Sequence, residues 1–148
     1  MNIINSTLCA AALAAMATAV APQAQACTNL LVGKKASADG STLITYAADS
    51  HTLYGDLSYL PAADHKKGDM RAIRDWDTGI MHGYIPEVAH TYKVVGNINE
   101  HQLTIAESTW GGRPELADTT KGAIMDYGSL ITVTLQRART AREAIAVM

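Results

Sequence analysis

Hydrophobic and polar positions divide this chain into three regimes. Residues 8–21 form an Ala-rich apolar run, and no charged residue occurs from Thr7 to Ala26. Residues 27–107 then carry short apolar runs broken by Gly, Pro, Asn and Asp, a pattern of brief strands and turns. Residues 27–33 read as a buried strand, 34–41 as a turn centred on Asp39-Gly40, and 42–47 as a second strand. Two strands closing on one turn bring their outer ends together, so Cys27 and Asp49 become candidate neighbours. Residues 50–85, punctuated by Pro61, Gly68, Gly79 and Gly83, read as loops with short strands around 70–73 and 80–84. Strands are expected over 88–97 and 102–107 with a turn at 97–101, and Gly111-Gly112-Arg113-Pro114 opens a further loop. From Ser129 the period changes to helical, with Leu130, Val133, Thr134 and Arg137 on one stripe. A second helix is expected from Thr140, with Glu143 completing a capping box. The pattern predicts an α+β fold.

The apolar run ends at Pro22 and is followed by Ala24-Gln25-Ala26, which puts small residues at both recognition positions of a secretory cleavage site. Residues 1–26 are therefore expected to be a signal peptide, although the segment before the run carries no Lys or Arg. A buried N-terminal helix is the alternative. The mature part would be residues 27–148, secreted or periplasmic, with no stable membrane span after processing. Val147-Met148 falls inside the second helix with no Gly or Pro to close it, so residues 27–148 are expected to be the N-terminal part of a domain truncated at its C-terminus.

Composition narrows the classes. Twelve basic and 14 acidic residues give a net charge of −2, and the cations are dispersed, which gives no reason to expect a nucleic-acid partner. The five His are scattered without ligand spacing, and no metal or cofactor is expected. Loss of the leader removes Cys9 and leaves Cys27 as the single cysteine, so no internal disulfide can form.

An exported chain that begins at a lone cysteine has a particular chemistry available. A thiol titrates near pH 8.5 and an α-amine at about 7.7–8.0. Carried on one residue, the amine accepts the thiol proton and later returns it to a leaving amine, so nucleophile and general base are the same residue. A nearby carboxylate would orient that amine. Asp49 is the candidate, and a cap or turn role before Ser50-His51 is the equally ordinary reading.

Residues 27–42, Cys-Thr-Asn-Leu-Leu-Val-Gly-Lys-Lys-Ala-Ser-Ala-Asp-Gly-Ser-Thr, with Asp49 downstream, resemble the start of the bacterial dipeptidase family of N-terminal-nucleophile (Ntn) cysteine hydrolases, relatives of penicillin V acylase and bile salt hydrolase. The resemblance continues through Asn97-Ile98-Asn99-Glu100-His101-Gln102-Leu103, Glu107-Ser108-Thr109-Trp110-Gly111-Gly112 and Asp126-Tyr127-Gly128-Ser129-Leu130. It implies a four-layer αββα sandwich with antiparallel sheets, and hydrolysis of dipeptides by a processed N-terminal cysteine. Carried over by position, Cys27 is nucleophile and amine base, and Asp49 steadies the amine. Relatives usually have Arg three positions before that Asp; here Tyr46 stands instead and supplies no permanent cation. Thr109 occupies the place of an oxyanion-donating Asn in the acylase branch.

Other residues have bland readings beside sharp ones. Asn97 and Asn99 read as turn residues first and oxyanion donors second. Glu107 ends an apolar run, where it could meet a substrate amine or pair with Arg113. Lys34-Lys35 is a solvated pair or a weak site for a substrate carboxylate. Asp75-Trp76-Asp77 reads as a loop. The expected function is a secreted cysteine dipeptidase, with dipeptides as substrates and a homo-oligomer allowed. The alternatives are an amidase acting on non-peptide amides, or a non-catalytic exported or lipid-anchored envelope-binding domain in which Cys27 carries lipid.

Overall fold

A computed structural model describes residues 27–48, 55–108, 113, 115 and 122–148. The predicted leader, together with Asp49, Thr109 and Trp110, lies outside the described residues. Among those described, the strands are β1 (Thr28–Val32), β2 (Leu43–Ala47), β3 (Tyr59–Leu60), β4 (Ala63–Asp64), β5 (Met70–Arg74), β6 (Met81–Pro86), β7 (His90–Thr91), β8 (Val94–Val95) and β9 (Ile98–Asn99). Two helices follow, α1 (Tyr127–Leu135) and α2 (Ala141–Val147). All ladders are antiparallel: β1 with β2, β5 with β6, β4 with β7, and β8 between β3 and β9. The class is α+β, as the pattern predicts.

The predicted first hairpin forms, with Thr28 opposite Ala47 and Val32 opposite Leu43. Its turn uses the residues singled out in sequence. Asp39 Oδ1 accepts from the Ser41 amide at 3.0 Å, and Gly40 takes φ +77°, a left-handed conformation that a side chain disfavours.

Two expected strands are interrupted. The run 88–97 breaks at Tyr92-Lys93 because the chain changes partners there. His90–Thr91 pairs with β4, and Val94–Val95 pairs with β3 and β9. Between them the Tyr92 amide donates to Gln136 O at 2.8 Å and the Lys93 amide to Glu100 Oε1 at 2.8 Å, so neither joins a ladder. The run 102–107 forms only an isolated bridge, Ile98 to Thr104. A side chain takes the ladder's place: Asn99 Oδ1 accepts from the His101 and Leu103 amides, both at 3.0 Å, and Gln102 between them adopts φ 62°.

The helices begin where caps allow. Asp126 caps α1 through Ser129 N–H at 2.8 Å, which starts the helix two residues earlier than its apolar stripe suggests. Thr140 caps α2 through Glu143 N–H at 3.2 Å, and Glu143 reaches back to the Arg139 amide at 2.7 Å.

The core joins these helices to the β8–β9 region. Val94, Leu103, Ile131, Leu135, Ala138 and Ala144 are buried together, with Leu60 and Ile105 packed against them. Asn99 crosses this core. Its Nδ2 donates to Leu135 O at 2.8 Å, the last carbonyl of α1, and to Ala138 O at 2.7 Å, three residues beyond the helix. At the far side, Arg137 donates to Glu87 Oε1 at 2.8 Å and to Pro86 O at 3.0 Å, which fastens the β5–β6 hairpin to the same helix end. Arg71 Nη1 adds a hydrogen bond to Gln136 Oε1.

Candidate active site

Strand alternation decides which side chains meet. Asn29 lies opposite Tyr46, and Leu31 opposite Ile44, so these four share one face of the first hairpin. Cys27 extends the same alternation at the hairpin's open end. The stretch from Ile105 to Ser108 passes that end, drawn in by Ile105 N–H donating to Asn97 O at 3.1 Å and Asn97 Nδ2 donating to Ile105 O at 2.8 Å.

The result is a cluster of four polar side chains around the sulfur. Cys27 Sγ donates to Glu107 Oε1 at 3.4 Å, and Tyr46 OH donates to the same oxygen at 2.9 Å. Asn29 Nδ2 donates to Glu107 O at 2.6 Å and lies 2.7 Å from Ser108 Oγ. Ser108 Oγ in turn donates to Cys27 O at 3.3 Å, closing a ring of contacts across the two segments. Cys27, Asn29, Tyr46 and Glu107 are half-buried. Asn29 Oδ1 is buried and has no hydrogen-bond partner, an acceptor left over in a site already rich in acceptors.

Burial raises the pKa of Tyr46, and the hydrogen bond to Glu107 and its charge push it further the same way. Tyr46 is therefore a neutral phenol, and so a hydrogen-bond donor, throughout the neutral range. Where the resemblance leads one to expect an arginine, the chain thus has a neutral donor to the Glu107 carboxylate.

The sequence reading placed Cys27, Tyr46 and Asn97 at the site; Cys27 and Tyr46 meet through Glu107, and Tyr46 shares cavity walls with Asn97. Tyr46 and Asn97 line a cavity of about 60 Å³ with Ser58, Trp76, Tyr127 and Gly128. A wider opening of about 430 Å³ has Tyr46 and Asn97 in its wall as well. The roles given to Asp49 and Thr109 fall outside the described residues. Asn99 belongs to the core tie, not to this cluster. Glu107 was weighed in sequence but not chosen, and it is the residue at the centre. Arg113, offered as its partner, donates to Glu115 Oε1 at 2.7 Å instead. The available signal was an acid closing the apolar run Leu103-Thr104-Ile105-Ala106, a position where charge is unusual without a task.

Asp75, His82 and Asp126 form the group among the described residues whose ligand atoms lie close enough for a metal, within 4.8 Å of one another. Their bonding argues for a different task. Asp75 Oδ1 accepts from Thr78 N–H at 2.8 Å and Thr78 Oγ1 at 2.7 Å, and Oδ2 faces His82 Nε2 at 3.4 Å. Both Asp126 oxygens are engaged by Ser129, and Oδ2 also accepts from Trp76 N–H at 3.2 Å. The carboxylates therefore hold a turn and a helix cap, and a cation there would oppose the positive end of α1. The same turn lays Trp76 over Gly128, where any methyl group would collide with the indole.

A half-buried thiol that shares a carboxylate with a phenol, the phenol itself lining a cavity, defines a candidate cysteine hydrolase site. The family comparison says which kind of hydrolase. The chain belongs to peptidase family C69, whose model matches residues 26–75 and 57–148, and this supports the dipeptidase family named from the residues that begin at Cys27. No curated protein and no solved structure matches the chain. Among the described residues, no helix is long and apolar enough to cross a membrane.

Proposed function

We propose that the chain is a secreted dipeptidase whose nucleophile is Cys27, freed as the N-terminal residue by removal of residues 1–26. The observation that carries the reading is the Cys27–Glu107–Tyr46 cluster at the open end of the first hairpin. Membership of a peptidase family supports peptide substrates. The four-layer Ntn sandwich belongs to the same reading.

The reaction proceeds in two stages. The α-amine of Cys27 takes the thiol proton, and the sulfur attacks the scissile carbonyl carbon. The carbon–nitrogen bond breaks, the proton passes to the departing amine, and a thioester remains. Water then attacks the thioester carbon with the same amine as base, which releases the carboxylic acid and restores the thiol. In this reading Asp49 steadies the amine. Thr109 and backbone N–H groups donate to the oxyanion, with Asn97 and Tyr46 in the substrate wall.

The test is direct. Mass spectrometry of the exported protein is expected to find a free-amine N-terminus at Cys27, and Cys27→Ala is expected to abolish dipeptide hydrolysis. Full activity in that variant, or a lipid adduct on Cys27 in the active form, would overturn the proposal.

A further inference from the structure

We propose that Trp76 walls off the cavity beside Tyr46 from a larger one behind it, and so restricts the substrate residue whose carbonyl is attacked to a small, uncharged side chain. The proposal rests on Cys27 being the nucleophile, and it adds what selects the substrate.

Reach comes first. A carbonyl carbon poised for attack lies about 3–3.5 Å from the attacking sulfur. The first side-chain carbon of the same residue is two bonds further on, about 2.5 Å. The side chain therefore begins within about 6 Å of the sulfur. Tyr46 stands at that range, because its OH lies 2.9 Å from the Glu107 oxygen that is 3.4 Å from Cys27 Sγ. Tyr46 is also a wall of the small cavity, with Trp76 and Tyr127.

Volume sets the limit. The cavity holds about 60 Å³. A cavity of about 150 Å³ takes benzene, or about 25 Å³ per carbon. At that ratio the space beside Tyr46 takes about two or three heavy atoms, and the seven carbons of a Phe side chain would need about 175 Å³. Among the described residues that line it, none is Lys, Arg, Asp or Glu. The two phenols are donors committed elsewhere, Tyr46 to Glu107 and Tyr127 to Asp77 Oδ1 at 2.9 Å. An ionised side chain would lose its hydration there and gain no counter-charge.

One indole closes the space. A second cavity, of about 270 Å³, lies between β5 and α1, and Trp76 and Thr132 line both. The ring packs directly on Gly128, where a Cβ would collide with it, so only a glycine lets it sit this close to α1. The Trp76 amide donates to Asp126 Oδ2 at 3.2 Å, which ties the residue to the cap of the same helix. Trp76 is nevertheless 51% exposed and lies outside the buried core. Removing the indole therefore joins the two cavities without emptying the core.

The experiment measures kcat/KM for Ala-Ala, Val-Ala and Phe-Ala on the exported protein and on its Trp76→Ala and Trp76→Phe variants. In the wild type, Phe-Ala is expected to be about 100-fold poorer than Ala-Ala, the scale on which apolar pockets discriminate by size, and Val-Ala to stay within about tenfold. Trp76→Ala is expected to narrow the Phe-Ala deficit by at least about tenfold, with Trp76→Phe in between. Equal cleavage of Ala-Ala and Phe-Ala by the wild type would overturn the proposal without any variant. So would an unchanged ratio in a Trp76→Ala protein with the circular dichroism of the wild type. Calorimetric titration of Cys27→Ala with the same dipeptides reads selection apart from chemistry: Ala-Ala is expected to bind more tightly than Phe-Ala, and equal affinities would overturn the proposal. Failure of the peptidase reading has a separate signature, hydrolysis that survives Cys27→Ala.

Discussion

Replacing Asn99 tests whether one buried amide joins the two halves of the core. Asn99 is 5% exposed, and both ends of its side chain are engaged. Oδ1 accepts from His101 and Leu103 N–H, and Nδ2 donates to Leu135 and Ala138 O. Asn99→Ala removes these four bonds and leaves four backbone groups to find partners. At about 0.5–1.5 kcal/mol net per bond the loss is about 2–6 kcal/mol, centred near 4 kcal/mol. That is a large part of the 5–15 kcal/mol typical of a domain. With a urea slope of about 2 kcal/mol per molar, the unfolding midpoint is expected to fall by about 2 M with an unchanged slope. Asn99→Asp separates the two ends. It keeps the acceptor toward His101 and Leu103 but sets a carboxylate against the Leu135 and Ala138 carbonyls. The introduced carboxyl should have a raised pKa in the folded state, so its penalty is absent below about pH 4 and grows as pH rises through the folded value. A midpoint shift under 0.5 M for Asn99→Ala, or no pH dependence for Asn99→Asp, would refute this account of the core.

Two further outcomes follow from the ion pairs and turns. Arg137 and Glu87 have side chains only 14% and 7% exposed, so Arg137→Ala should destabilise by about 3–5 kcal/mol by leaving Glu87 buried without its bonded cation. Replacing both with apolar residues of similar volume should recover much of that loss in the same denaturation assay, and a double variant as unstable as the single one would contradict it. Asp75, held by Thr78 and then by His82, has its pKa lowered to about 2. A depressed carboxylate contributes stability above its unfolded pKa and loses it as pH falls through the folded value, so the β5–β6 turn should hold at pH 4 and loosen toward pH 2. Chemical shifts of the Thr78 amide should follow Asp75 alone, and a midpoint near 4 would refute the assignment.

Local chemistry wrote much of this protein in a readable form. Asp39-Gly40 between two short apolar runs announces the first hairpin, which carries Cys27, although its first strand is largely exposed where a buried one is expected, and Thr140 and Glu143 announce α2. Each of these depends on residues a few positions apart, whose geometry the backbone alone dictates. The interruptions were not readable for the opposite reason. Residues 88–97 look like one strand because their side chains favour extension, yet Tyr92 finds its acceptor at Gln136, and that carbonyl has no local signature. Residues 102–107 look like a strand until the Asn99 side chain captures the Leu103 amide. The site divides along the same line. Cys27 is legible because its place after Ala24-Gln25-Ala26 has chemical meaning in one dimension. Glu107 acquires its meaning only when the chain from Asn97 to Ser108 folds past the open end of the hairpin, since a carboxylate's charge acts through space on whatever the fold sets beside it.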